Sequence, residues 1–259
     1  MRANTDRAAR LAFDSVAAAY SAGRPDVDRS TVARLVALAG WKPGDHVVEI
    51  GAGTGQLTLP LARCGIVVTA VEPGAAMAAH LNQRAIDLDG VEVVNASYEE
   101  FDTARRVAGV VAANSFHWLD PATAYPRAAG QLNDDGALAL VWNFPVAGDD
   151  DVQRLLNERA WIEPLQDLRR DLASDTSALE RSLADGRREV MASGLFGAPV
   201  WEMTTIEEQW TVDQLAKFSA SLATTTGRVN LIVERLAALG LDEPIHILNR
   251  VYTSVSNRT

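Results

Sequence analysis

The sequence predicts an α/β protein: a doubly wound, mostly parallel, seven-stranded sheet, with a helical cap inserted between strands five and six. Three observations carry this expectation. Short apolar runs alternate with helical segments between residues 46 and 142, the rhythm of parallel βαβ units. The runs are apolar almost without interruption, as strands covered on both faces are. The rhythm stops after Pro145, and strand-like segments return only near Pro199.

Residues 4–22 read as a helix ending near Gly23, with Arg24-Pro25 as the break. A second helix runs from about Ser30 to Ala39, because Val32, Leu35, Val36 and Ala39 recur at helical spacing. Ser30 is its expected N-cap and Gly40 its stop. The first strand is His46–Ile50. Gln56 to Arg63 is helical and halted by Gly65, and Ile66 to Val71 is the second strand. Ala75 to Leu88 is a helix, Val91 to Val94 the third strand, and Val107 to Ala113 the fourth. Asp120-Pro121 opens another helix, since Asp caps well and Pro suits the first helical position. Asn133 to Gly136 turns the chain into a fifth strand, Ala137 to Trp142. Asp149 to about Met191 reads as mostly helical, polar and rich in Arg, Asp and Leu. Pro199 to Thr211 is a sixth strand, followed by helices near 212–223 and 227–239, and by a last strand near 247–255. The expected division is an N-terminal helix and lid over 1–30, a core over 31–146, the cap over 147–197, and 198–259 completing the sheet.

The 259 residues include 34 Asp and Glu against 24 Lys and Arg, a net charge of −10. That field opposes wholesale binding to a phosphate backbone. Apolar runs stay short of the ~20 residues of a membrane span, and the polar N-terminus does not read as a secretory signal. A single cysteine, Cys64, provides no disulfide framework. The four histidines are scattered. No nucleic-acid partner, no membrane, no metal and a cytoplasmic setting are therefore expected, with monomer and homodimer equally open.

The chemistry concentrates in Val47-Val48-Glu49-Ile50-Gly51-Ala52-Gly53-Thr54-Gly55-Gln56, between the first strand and the next helix. Its glycines permit a tight turn and close approach of a ligand to the main chain. Dinucleotide enzymes use Gly-x-Gly-x-x-Gly with pyrophosphate at the helix start. Here the spacing is Gly-x-Gly-x-Gly, and Gln56 stands at the third dinucleotide glycine. Glu49, at the mouth of the loop, would repel pyrophosphate and suit a cofactor bearing positive charge. S-adenosylmethionine (SAM), with a sulfonium and an ammonium and no phosphate, is such a cofactor. Glu72, at the end of the second strand, can accept hydrogen bonds from a ribose diol, which either nucleoside cofactor requires.

Val47 to Gln56 resembles the glycine-rich motif of class I SAM-dependent methyltransferases, and Ala70-Val71-Glu72-Pro73 resembles their acidic second motif. Residues 13–145 resemble the small-molecule branch called type 11, near the trans-aconitate methyltransferase-like group. Phe13 to Pro25 is similar to that branch's N-terminal signature, and Ser115-Phe116-His117-Trp118-Leu119-Asp120-Pro121 to its His-Trp segment. The resemblance implies a Rossmann-like methyltransferase fold and SAM as cofactor. It implies that Gly51, Gly53 and Gly55 wrap the methionine and ribose, with Ala52, Gln56, Pro73 and Ser115 beside them. Glu72 would hold the ribose diol, and Ser97 and Tyr98 would lie at the adenine edge. Many relatives have Asp at the position of Ser97. Asn114 would offer its carbonyl near the methionine ammonium, and Tyr20 and Arg24 would reach the methionine carboxylate.

His117 follows strand four, where acceptor and methyl group should meet. It reads either as a general base or, with Trp118, as a wall against the cofactor. Trp142 and Phe144 either line the acceptor pocket or pack in the core. The expected reaction moves the SAM methyl to an O, N or carboxylate acceptor on a small molecule. The alternatives are a SAM-binding protein without methyl transfer, for regulation or another reaction such as cyclisation, and a nicotinamide-dependent oxidoreductase.

Overall fold

The computed structural model describes residues 13–148, 186–222, 238, 240 and 244–259. Residues 4–12 of the expected helix over 4–22, most of the cap (149–185) and nearly all of the expected helix over 227–239 lie outside these residues. The seven strands are β1 (His46–Ile50), β2 (Val67–Glu72), β3 (Val91–Asn95), β4 (Val107–Ala113), β5 (Leu132–Ala147), β6 (Val200–Trp210) and β7 (Ile245–Asn257). They form one sheet in the order β3-β2-β1-β4-β5-β7-β6. Strands β1 to β5 pair in parallel, and β7 runs antiparallel between β5 and β6. The order reverses between β1 and β4. In an open sheet of this kind that switch point leaves a crevice at the carboxyl ends of the strands.

The helices are α1 (Ala17–Gly23), preceded by a 3-10 turn at Phe13–Val16, α2 (Arg29–Ala39), α3 (Thr58–Arg63), α4 (Ala75–Arg84), α5 (Pro121–Gln131) and α6 (Val212–Leu222). Local chemistry sets most of their ends. Helix α2 is capped by Asp28, not Ser30. The Asp28 carboxylate accepts from the backbone N–H groups of Ser30 and Thr31, so the helix begins one residue earlier than expected. Gly40 stops it in the left-handed region at φ 70°. Asp120 caps α5, with Pro121 in its first turn. Helix α4 ends at Arg84, short of Leu88, where the chain turns through a Leu88 N–H to Ala85 carbonyl bond.

Strand β5 runs past the expected Trp142 because β7 pairs with it from Ala137 to Ala147. Its register against β4 steps from Val107↔Leu132 to Gly109↔Ala137, so Asn133–Gly136 stands outside that ladder as an excursion.

Apolar side chains cover both faces of the sheet. Val47, Val68, Ala70, Val111, Ala139 and Val141 pack with α2 and with Leu57, Leu59, Leu61 and Leu81. Val48, Ile50, Val71, Val110, Leu138 and Leu140 pack on the other face with α5 and Phe196. Trp41 donates its indole N–H to the Ala108 carbonyl, 3.2 Å away, and lies over Gly109 so closely that any Cβ there would enter the ring. This fixes the turn after α2 against the middle of the sheet.

Candidate active site

The loop leaving β1 needs the left-handed region three times in five residues: Gly51, Gly53 and Gly55 have φ of 64°, 59° and 97°. Such angles are costly for residues with a Cβ. The loop is sewn to the end of β2, since Gly51 and Ala52 both donate to the Val71 carbonyl. Ser115 donates to the Ile50 carbonyl and occupies the space a side chain at 51 would need. Gly55 faces Leu81 and Leu59, so it serves loop packing.

Two carboxylates bracket the loop. Glu72 accepts from Gly53 N–H through one oxygen and from Gly74 N–H through the other, both at 2.8 Å. Burial pushes its carboxyl upward, the two backbone bonds oppose that, and Asp14 nearby adds to the rise. Glu49 is 1% exposed and accepts from the Thr58 hydroxyl at 2.6 Å. Burial pushes it up to about 8, against the Thr58 bond and with a smaller contribution from the charge of Glu72. Asp14 reaches across to the start of α4, accepting from Ala76 and Met77 N–H.

A cleft opens over this loop at the switch point. Tyr20, Arg24, Glu49, Gly51, Ala52, Gly53, Gln56 and Asn114 all line it. Arg24 donates Nε–H to the Ser221 hydroxyl at 3.0 Å, and its guanidinium sits 5.0 Å from the Tyr20 ring and 4.9 Å from the Phe218 ring. Asn114 has φ 51°, a conformation Asn tolerates better than most residues. Its N–H donates to Val141, and its side-chain oxygen accepts from Asn143 N–H. It thus ties β4 to β5, and its side-chain carbonyl is already engaged. The cleft encloses only about 50 Å³, below the ~300–1,000 Å³ of ligand pockets.

Other expected site residues lie elsewhere. Ser97 donates to Glu100. Tyr98 is turned inward, 3% exposed, with its hydroxyl on Gln131. Its ring is thus part of the core. Pro73 follows Glu72 at the rim and accepts from Asn95. His117 is exposed between buried Phe116 and Trp118, its ring 5.0 Å from the indole. Trp142 stacks on Trp201 at 5.7 Å, against the α5-side core. Strand alternation puts its neighbours Val141 and Asn143 in the cleft instead. Phe144 lies in β5, and its side chain is outside the described residues.

Asn143, Phe218 and Asn249 line the cleft unforeseen. The two Asn side chains carry buried oxygens without a partner. The period of two along β5 could have revealed Asn143; nothing local marks Phe218 or Asn249. Among the described residues no group of three or more His, Cys, Asp or Glu could hold a metal, and no helix is long and apolar enough to cross a membrane.

The methyltransferase-domain family profile matches residues 47–136. An uncharacterized methyltransferase of Mycobacterium tuberculosis is 36% identical over 133 residues, 51% of this chain and 52% of that protein. The chain thus spans about half the length of this curated relative. Ribosomal RNA small subunit methyltransferase A of Magnetococcus marinus is 59% identical, over 46 residues covering 18% of this chain and 16% of its own. Among solved structures, one described as a candidate type II methyltransferase from Anaeromyxobacter dehalogenans superposes with a TM-score of 0.57 at 22% identity, covering 91% of this chain and 96% of the other. The YcgJ protein from Bacillus subtilis gives 0.54 at 13% identity, covering 89% and 98%. Residues 47–136 are thus similar to a methyltransferase domain, and the chain shares its fold with a solved structure described as a methyltransferase.

Proposed function

We propose that this protein is a SAM-dependent methyltransferase that transfers the methyl group to an oxygen, nitrogen or carboxylate acceptor on a small molecule. The observation that carries the reading is the pair of acids around the glycine loop, with Glu49 sealed beneath it and Glu72 fixed at its rim. A diphosphate over that loop would be opposed by Glu72 and would hold the buried Glu49 protonated, whereas a cationic nucleoside would be attracted by Glu72 and would draw Glu49 into its charged form.

The residues fit this cofactor. Arg24 has its Nε on a neutral hydroxyl, which leaves a guanidinium suited to the methionine carboxylate. Gly51 and Gly53 would hold the methionine and ribose through their backbone, and Glu72 the ribose diol. Ser97 and the Tyr98 backbone would flank the adenine. Bound SAM supplies an electrophilic methyl group on sulfonium, so the protein needs no covalent intermediate. Its work is to exclude water and hold the acceptor in line, which supplies roughly 7–11 kcal/mol. The segments matched by ribosomal RNA enzymes run from 46 to 173 residues, yet a chain of net charge −10 suits a small acceptor better than RNA. The cap over 147–197 and the N-terminal lid are the segments proposed to read the acceptor, in a cytoplasmic setting.

Calorimetry with S-adenosylhomocysteine should show saturable, micromolar binding, and NADH should show none by fluorescence titration. NADH binding without S-adenosylhomocysteine binding would overturn the proposal. Release of labelled methyl from SAM to an acceptor separates transfer from mere binding.

His117 is the candidate to take the proton of a hydroxyl or amine acceptor. As a base, His117→Ala should lower kcat by ~100-fold with S-adenosylhomocysteine affinity unchanged. Equal losses in both would assign it, with Trp118, to the cofactor wall.

A further inference from the structure

The side-chain partners of Arg24 come from α1 and α6: the Tyr20 ring, the Phe218 ring and the Ser221 hydroxyl. The glycine loop belongs to a different unit, the turn between β1 and α3. A cofactor held by the loop along one part and by Arg24 at its carboxylate needs the two at a fixed separation. The bonds that set this separation lie just after Arg24.

Arg84, in the last turn of α4, supplies one of them. Its Nη1 donates to the Thr54 carbonyl at 2.8 Å, and its Nη2 donates to Asp26 Oδ1 at 2.6 Å. Thr54 stands inside the loop, between Gly53 and Gly55. One planar fork therefore grips the loop with one nitrogen and the segment after α1 with the other. A guanidinium can do this because its donors keep a rigid spacing, which an ammonium lacks. The other Asp26 oxygen accepts from Arg63 at 3.4 Å. One residue on, Val27 N–H donates to the Gln56 carbonyl at 2.8 Å. The segment is thus joined to the loop twice, through Arg84 at Thr54 and directly at Gln56.

Pro25 carries this constraint back to Arg24. Its ring fixes its own φ and confines the residue before it to extended backbone, and Arg24 has φ −96° and ψ 118°. Arg24 and Asp26 therefore shift together. As an ion pair the contact contributes little, because the Arg84 and Asp26 side chains are 27% and 28% exposed and screened by solvent. Its geometry is the informative part: one side chain bonds two segments, and both line the cleft, through Arg24, Pro25 and Val27 and through Gly53 and Gln56.

We propose that Arg84 and Asp26 are positioning residues that set the distance between Arg24 and the glycine loop, and with it the grip on the amino-acid half of the cofactor. The proposal rests on the reading of the cleft as a SAM site.

The test is calorimetry on the full chain with S-adenosylhomocysteine and with methylthioadenosine, which keeps the adenosine and thioether but lacks the amino-acid carboxylate. Asp26→Ala and Arg84→Lys should each weaken S-adenosylhomocysteine about tenfold and leave methylthioadenosine within about twofold of wild type. Arg24→Met should show the same selectivity, and adding Asp26→Ala to it should cost little more, since both changes remove one interaction. Hydrogen exchange on the ligand-free chain reads the strut itself. In Arg84→Lys the Val27 amide should exchange about tenfold faster, with Tm little changed. Equal losses for both ligands, or Val27 exchange at the wild-type rate, would overturn the proposal. A wild-type protein that binds neither ligand would defeat the cofactor reading itself, and the proposal with it.

Discussion

Replacing Glu72 with alanine should lower affinity for S-adenosylhomocysteine at least ~10-fold and should also lower stability. The ligand effect follows from losing the acceptor of the ribose diol, since a charge-assisted hydrogen bond contributes roughly 1.5–3 kcal/mol. The stability effect follows from the two backbone bonds: Glu72 ties Gly53 to Gly74, so its removal frees both the glycine loop and the start of α4. Because burial already disfavours the charged form, the net loss should be roughly 1–3 kcal/mol. Glu72→Gln separates the two effects. Its amide can still accept from one N–H but presents an NH₂ to the other, so part of the loop anchoring survives while ribose binding falls. Denaturant melts beside calorimetry would read both, and unchanged affinity in both variants would remove Glu72 from the ribose.

The larger pH effect should come from Glu49. Its folded value of about 8 lies above the ordinary 4.5. Between those pH values the native chain keeps a proton that the unfolded chain has released. Its contribution to stability is therefore complete below the window and declines as pH rises through it, by at most about 5 kcal/mol. Glu49→Gln keeps the shape without the titration. Its Tm should exceed wild type at pH 8 and approach it at pH 5.

The same substitution should weaken SAM more than S-adenosylhomocysteine, by about tenfold, because only SAM carries the sulfonium charge. In the wild type, SAM should favour the ionised carboxyl and expel a proton near pH 7. That release is measurable as a dependence of binding enthalpy on the buffer's ionisation heat. A variant with the wild-type pH profile and an unchanged SAM preference would show that Glu49 is not the partner of the cation.

The strands and the glycine loop were legible because their signals are local. A β-branched run ended by Gly51 marked β1 to the residue and an apolar run marked β4, and Gly51-x-Gly53-x-Gly55 announced a turn that backbone angles alone require. What escaped depends on distant pairing. Nothing near Trp142 says that an antiparallel partner from residues 245–257 will carry β5 to Ala147, and nothing near Asp14 says that it will cap a helix starting sixty-one residues later. The burial of the Tyr98 side chain escaped for the same reason. A tyrosine after a strand reads as a rim residue until Gln131, thirty-three positions on, is seen to receive its hydroxyl inside the core. At α2 two local signals competed, and Asp28 captured the N–H groups that a Ser30 cap would have left to others.

The contact between α1 and α6 carries one more implication. Gly23 lies flush on the Lys217 carbonyl with no room for a methyl group, and Arg24 reaches Ser221, 197 positions away in the chain. The two flanks of the cleft are therefore held to each other. A wall of the crevice is thus a seam joining early and late parts of the polypeptide, and Arg24 and Phe218 on that seam line the same crevice as the glycine turn.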